Sequence, residues 1–198
     1  MLKVIKKVPY LVYMILAKPE RFFKKIVVDG SLEESIIKAF IYGLCGGVAL
    51  LVLDLIFGGG VAFSSVFMKL IVYPVVAVGI LFAFAGLMMM FSEIAGGSRD
   101  WELAVKGVSS IFFMYPVILV LDSFAFNCTS LILISILVDG YVLFLLYNIA
   151  YHCMDGKKWI VLGIIAAALV VMVMVYASDY SFSWLAAKNY DAALACIS

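Results

Sequence analysis

Asp139 raises the first chemical question, because it lies inside the apolar stretch Ser130–Tyr151. It falls about nine residues into that stretch, which corresponds to a depth of roughly 14 Å at the helical rise per residue. A charged carboxylate there costs on the order of 2.5–3.5 kcal/mol, so we expect Asp139 to face the interior of a helix bundle. Tyr73, Tyr115 and Ser110 fall at depths within its reach. The cluster is either a proton or cation site or a polar clasp between helices.

Three further charged residues, Asp54, Lys69 and Asp122, fall near the same ends of the first three apolar stretches. Depth matching brings them to one level of the membrane, where unpaired charges are costly. We therefore expect Lys69 to lie within hydrogen-bonding reach of Asp54 or Asp122. The group is either a structural ion pair or a vestibule for a polar solute.

No arrangement typical of catalysis is present in the sequence. The single histidine, His152, has Cys153 and Asp155 nearby, but a second set of metal ligands is missing. The glycine pattern of a phosphate-binding loop is also absent, and Gly58-Gly59-Gly60 indicates a turn. The sequence therefore predicts a protein that is not an enzyme, with no cofactor, no bound metal and no nucleic-acid partner.

The elements that must position these residues are long apolar stretches separated by short polar breaks. The chain is 67% hydrophobic and 14% charged, whereas soluble domains carry about 25% charged residues. A stretch of about 20 apolar residues spans a bilayer, and lipid forces its backbone to be helical. The sequence therefore predicts an all-α polytopic protein with transmembrane helices at Glu34–Phe57, Val66–Phe91, Leu103–Phe124, Ser130–Tyr151 and Trp159–Ala177.

The distribution of lysine and arginine predicts the orientation. Basic residues cluster before the first stretch and recur in alternate breaks, as at Arg99 and Lys157, and cytoplasmic loops carry this excess. We therefore expect a cytoplasmic N-terminus and an outer C-terminus. Cys128 and Cys196 then both lie outside and could form a disulfide, provided that their Cα atoms come within about 7 Å.

The N-terminal segment combines basic and aromatic residues. Its apolar run is too short to span a bilayer, and Pro19 suits the first turn of a following helix. We expect interfacial helices in which Phe22 and Phe23 enter the headgroup boundary while Arg21, Lys24 and Lys25 face anionic lipid. A flexible basic tail is the alternative. The organisation is then a basic interfacial segment (residues 1–29), a five-helix membrane domain (30–178) and an outer tail (179–198).

Glycine and proline residues mark points of close packing and bending. Gly43 and Gly47 form a Gly-x-x-x-Gly face, which usually brings two helices together. Pro74 and Pro116 each follow a tyrosine within a stretch, where proline removes a backbone donor and kinks the helix. Ser31 is expected to cap the first stretch.

The order of these features resembles the prokaryotic branch of the YIP family, named for Ypt/Rab-interacting proteins. The residues that carry the resemblance are Pro19–Phe23, the glycines Gly43, Gly46 and Gly47, the break Gly96–Glu102, and Tyr115-Pro116. The resemblance implies a five-span protein of a prokaryotic plasma membrane. Eukaryotic relatives act in vesicle trafficking, but the resemblance does not extend to their long soluble N-terminal region, so we do not expect Rab binding.

Two functions are consistent with these sequence features. The first is a non-enzymatic membrane scaffold that binds partner membrane proteins, a second copy of itself, or anionic lipid headgroups of the surrounding bilayer. The second is a small-solute or proton-linked transporter built around Asp139 and the kinked helices. Water access to Asp139 would favour the second function.

Overall fold

The computed structural model describes residues 13–15, 17–26, 31–57, 63–127 and 132–186, with the side chains of 24–26, 125–127, 132–133 and 176–186 left outside that description. Every regular element in these ranges is helical. We number the helices α1, Pro19–Ile26; α2, Leu32–Phe57; α3, Phe63–Phe67 with Met68–Val72 and Tyr73–Ile94; α4, Trp101–Ile111 with Phe112–Met114 and Tyr115–Asn127; α5, Ile132–Asn148 with Ile149–Cys153; and α6, Lys158–Ala186.

Helices α2 to α6 confirm the prediction of an all-helical polytopic membrane protein. Within the described ranges, five helices are long and apolar enough to cross a membrane, with mean hydropathies between 1.6 and 2.6. At the start of two of these helices, a polar side chain accepts a hydrogen bond from a backbone N–H of the first turn. Ser31 Oγ accepts from the Glu34 N–H at 3.1 Å, and Asp100 Oδ1 accepts from the Leu103 N–H at 3.1 Å. Such caps contribute about 1 kcal/mol each.

Glycines of helix α2 let two neighbouring helices, α3 and α4, approach it closely. A Cβ at Gly43 would lie 2.7 Å from the Pro74 Cα of α3, and a Cβ at Gly46 would lie 2.8 Å from the Leu119 side chain of α4. The Gly-x-x-x-Gly face is therefore used for packing inside the bundle. Helix α6 lies at the edge, since only 6% of Lys158–Val175 is buried.

Helices α3 and α4 are irregular just before their prolines. Met68–Val72 is a π-helical segment that ends ahead of Pro74, and Phe112–Met114 is a 3₁₀ turn that ends ahead of Pro116. Proline lacks an N–H, so the regular ladder of helical hydrogen bonds cannot continue through it. The local change of winding in α3 accompanies the contact between the Lys69 carbonyl group and Gly47.

Residues 95–98 and 154–157 bind each other through their backbones, and we call this pair of segments the loop clasp. The Ser98 N–H donates to the Met154 carbonyl at 2.6 Å, and the Lys157 N–H donates to the Ala95 carbonyl at 3.0 Å. The buried Ser92 hydroxyl lies 2.9 Å from the Ser98 carbonyl oxygen. The clasp joins the α3–α4 connection to the α5–α6 connection at one end of the bundle.

Helix α1 packs against this same end, and its aromatic side chains correct one expectation. Phe22 and Phe23 are 2% and 1% exposed and belong to the protein core, so the prediction that they enter the headgroup boundary is wrong. The Cys153 thiol lies 3.4 Å from the Phe23 carbonyl oxygen, which it contacts as a weak donor. Both rings are buried where α1 contacts the π-helical end of α5. Because this burial removes apolar surface from solvent, it fixes α1 on the bundle.

Candidate functional site

Asp139 is half-buried on α5, and a second carboxylate interacts with it. Ser135 lies one helical turn earlier, so the two side chains share a face of α5. Asp122 lies five residues before the end of α4 at Asn127, which places it at the level of that face in the α4–α5 hairpin. The Asp122 and Asp139 carboxylates interact electrostatically. The structure thus relates Asp139 to a second carboxylate that depth matching had grouped with Lys69.

The hydroxyl groups expected around Asp139 have contacts of their own. The Ser110 hydroxyl donates to the Gly107 carbonyl of its own helix at 2.6 Å. The Tyr115 ring stacks on Phe112 with ring centres 5.6 Å apart, and Tyr115 also interacts electrostatically with Tyr73. Their expected contact with Asp139 stays a prediction.

Ser135 is a polar side chain beside the carboxylate pair that the sequence patterns did not reveal. It is 2% exposed, and among the described residues its hydroxyl forms no regular hydrogen bond, although it interacts with the Asp122 carboxylate. A lone serine inside an apolar run carries no sequence signal that separates it from a serine bonded to its own helix.

Lys69 and Asp54 are paired between α3 and α2. The Lys69 ammonium donates to Asp54 Oδ2 and, at 3.2 Å, to the Leu50 carbonyl oxygen. The Ser65 hydroxyl donates to the same carboxylate oxygen at 3.1 Å. Depth matching predicted this pair, whereas Asp122 is associated with Asp139 instead. Both described hydrogen-bond partners of the Lys69 ammonium lie on α2, which fits a structural tie between the two helices.

The described part of the chain has an open groove at the end of the bundle that holds the loop clasp. Its volume is about 620 Å³. We call it the basic groove, because Lys18, Arg21 and Lys158 line it. Its remaining lining residues are Ala17, Pro19, Glu20, Phe144, Tyr147, Asn148, Tyr151 and His152.

The three cations of the basic groove are exposed and lack a carboxylate partner among the described residues. Lys158 Nζ instead lies 5.8 Å from the centre of the Trp159 ring. Glu20 is the one carboxylate in the lining, and it has an interaction of its own. The groove therefore carries an excess of positive charge that a bound anion would balance.

Aromatic rings of α5 form the other wall of the basic groove. The Phe144 and Tyr147 rings stack at 6.5 Å, and the Tyr147 and Tyr151 rings stack at 5.9 Å. The His152 ring lies 4.5 Å from Tyr151. Of the whole lining, only Arg21 was expected at a lipid surface from the sequence. The groove itself leaves no sequence signal, because the lining comes from three separate segments of the chain.

Several residues singled out in the sequence lie outside the described part of the structure. They are the side chains of Lys24 and Lys25, the cysteines Cys128 and Cys196, and most of the outer tail. Across the described ranges, no three His, Cys, Asp or Glu side chains gather as a metal site would require.

Comparison with known proteins gives no assignment. No protein-family model, no curated protein and no solved structure matches this chain. The resemblance to the YIP family therefore has no support beyond the sequence features that suggested it. The class that the fold defines is an integral membrane protein, with five helices in the described ranges long and apolar enough to span the bilayer.

Proposed function

We propose that this protein is a non-enzymatic membrane scaffold that gathers anionic lipids around the basic end of its bundle. The observation that carries the proposal is the position of α1. Its two phenylalanines are buried against α5, while Arg21 of the same helix and Lys18 just before it remain exposed. A helix fixed in this way holds its positive charges at a constant place on the bundle, whereas a flexible tail would not.

The attraction between the basic residues at this end of the bundle and an anionic leaflet supports the same proposal. Each lysine or arginine near an anionic leaflet contributes about 1 kcal/mol of attraction. The lysine-rich N-terminus and the basic breaks at Arg99 and Lys157 favour the cytoplasmic leaflet for this end. We therefore place the N-terminus inside and the C-terminus outside, in a prokaryotic plasma membrane of the kind that the YIP resemblance implies.

Lipid selectivity tests the scaffold proposal. The full chain is reconstituted in vesicles that contain spin-labelled phosphatidylglycerol or phosphatidylcholine, and the motionally restricted fraction of each is measured by electron spin resonance. We expect severalfold selection of phosphatidylglycerol. The selection should weaken toward about 1 M salt, where the screening length falls to about 3 Å. Equal restriction of both lipids at low salt would contradict the proposal.

Cation-linked transport is the second candidate, and the Asp122–Asp139 pair favours it. Two interacting carboxylates in a low-dielectric region favour uptake of one positive charge between them. The neighbouring Ser135 hydroxyl offers a further oxygen ligand.

Replacing Asp139 by asparagine separates transport from a polar clasp. Asp139→Asn keeps hydrogen-bonding capacity and removes the charge, so folding should be retained. If the pair moves cations, the variant should abolish flux into loaded vesicles, read with a pH-sensitive dye for protons and with a sodium-sensitive dye for sodium. Glu93→Gln, which removes an exposed carboxylate paired with Arg99, is the matched control and should leave flux unchanged. Normal flux in Asp139→Asn would exclude the transport role.

A further inference from the structure

We propose that the basic groove is a discrete binding site for the phosphate-bearing headgroup of one anionic glycerophospholipid. The inference rests on the scaffold function proposed above and deepens it. General attraction of anionic lipid needs only surface charge, whereas the groove provides a site of defined shape and stoichiometry. The headgroup lies between α1 on one side and the facing ends of α5 and α6 on the other.

The position of the groove along the membrane normal suits a lipid that remains in the bilayer. His152 lies at the end of the fourth membrane-spanning segment, Ile134–Cys153, and Lys158 begins the fifth, Lys158–Val175. The groove thus opens where the hydrocarbon core gives way to headgroups. A lipid of the adjoining leaflet can place its phosphate there while its acyl chains stay beside α5 and the largely unburied α6.

The charges of the groove fit a phosphate group. Lys18 and Arg21 approach from the N-terminal segment, and Lys158 approaches from α6. None of the three has a carboxylate partner in the described part of the chain, so their charges are available to a ligand. Arginine can bind a phosphate with two parallel hydrogen bonds, and lysine adds a charge-assisted bond. Glu20, which has another interaction, is the one opposing charge in the lining.

The aromatic wall and the volume favour a lipid over an isolated inorganic anion. The groove volume of about 620 Å³ falls within the usual range of about 300–1,000 Å³ for small-molecule sites. The rings of Phe144, Tyr147 and Tyr151 form a continuous stack along this wall. Such a surface suits the glycerol backbone and the first acyl carbons, and amphipathic rings are common at this membrane depth. A free phosphate ion would leave that wall without contacts.

Native mass spectrometry of the full chain in detergent tests the inference. Phosphatidylglycerol, phosphatidylcholine and soluble glycerol phosphate are titrated separately. We expect one tightly retained phosphatidylglycerol per chain, weak retention of phosphatidylcholine and no retention of glycerol phosphate. The double variant Arg21→Gln with Lys158→Gln should weaken phosphatidylglycerol binding by about tenfold or more, because two charge-assisted contacts are lost.

The matched control removes two cations outside the groove. Lys38 and Arg99 each have a carboxylate partner, Glu34 at 4.0 Å and Glu93 at 3.3 Å. Lys38→Gln with Arg99→Gln makes the same charge change and should leave the single tight lipid in place. Arg21→Lys with Lys158→Arg preserves the charge and should keep most of the affinity. An unchanged melting temperature in each variant confirms that the bundle remains folded.

The outcomes separate this inference from the scaffold function. If the wild type selects phosphatidylglycerol and the groove variant binds it as tightly as the control variant does, the groove is not the site although the scaffold function stands. If the wild type selects no anionic lipid at all, both proposals fail. Retention of glycerol phosphate as strong as that of the lipid would show a soluble phosphate ligand and overturn the assignment to a bilayer lipid.

Discussion

Gly47→Ala is expected to destabilise the bundle by about 3 kcal/mol, the upper end of the usual cost of overpacking a core. A Cβ at this position would overlap the Lys69 carbonyl oxygen and would lie 2.8 Å from the Lys69 carbonyl carbon. The obstacle is backbone inside the π-helical segment of α3, so no side-chain rotation can relieve it. Helices α2 and α3 would have to separate, which would also strain the bond between Lys69 and Asp54.

Chemical or thermal unfolding of the purified protein in detergent measures this effect. Gly79→Ala in α3 and Gly163→Ala in α6 are matched controls, because a Cβ at either position meets no atom within 4 Å. Both controls should be neutral or slightly stabilising, since alanine is the better helix former. A Gly47→Ala protein as stable as these two would show that the α2–α3 approach is looser than the structure indicates.

Gly97→Ala is expected to open the loop clasp and to destabilise the protein by about 2 kcal/mol. Its Cβ would overlap the Met154 carbonyl oxygen, and it would lie 2.9 Å from the Gly156 nitrogen. Both obstacles belong to the opposite backbone segment, so the two connections would have to move apart. The hydrogen bonds from Ser98 to Met154 and from Lys157 to Ala95 would then be lost.

Backbone hydrogen exchange reports on the clasp directly. The amides of Ser98 and Lys157 should exchange much faster in Gly97→Ala than in the wild type, while amides in the middle of α2 keep their protection. Gly86→Ala is the matched control, because its Cβ would lie 3.7 Å from the Trp101 ring, which is ordinary contact. Slow exchange of Ser98 and Lys157 in the Gly97 variant would refute the tight clasp.

The sequence predicts the helices well because the physics of a span is local. Length and apolar composition specify each crossing, and the caps at Ser31 and Asp100 lie within three residues of the N–H groups that they bind. The Gly43–Gly47 face is likewise visible in the spacing of one helix. For these features, the chain itself holds all the information that is needed.

Depth matching predicts the level of a residue in the membrane, but it does not predict the rotation of each helix about its own axis. Asp122 and Lys69 were matched in depth. In the structure, however, Asp122 of α4 interacts with Asp139 of α5. Similarly, the aromatic pattern of α1 indicates an amphipathic helix without showing whether Phe22 and Phe23 meet lipid or protein. The basic groove combines both problems, because its wall depends on how three distant segments dock.

The loop clasp also bears on how the molecule is assembled during synthesis. Residues 95–98 leave the ribosome well before residues 154–157, so a nascent chain that has inserted only α2 to α4 holds the Ser98 N–H and the Ala95 carbonyl without their final partners. The last helical hairpin supplies those partners when it enters the membrane. Closure of the clasp therefore requires the connection between α5 and α6, so it comes late in assembly.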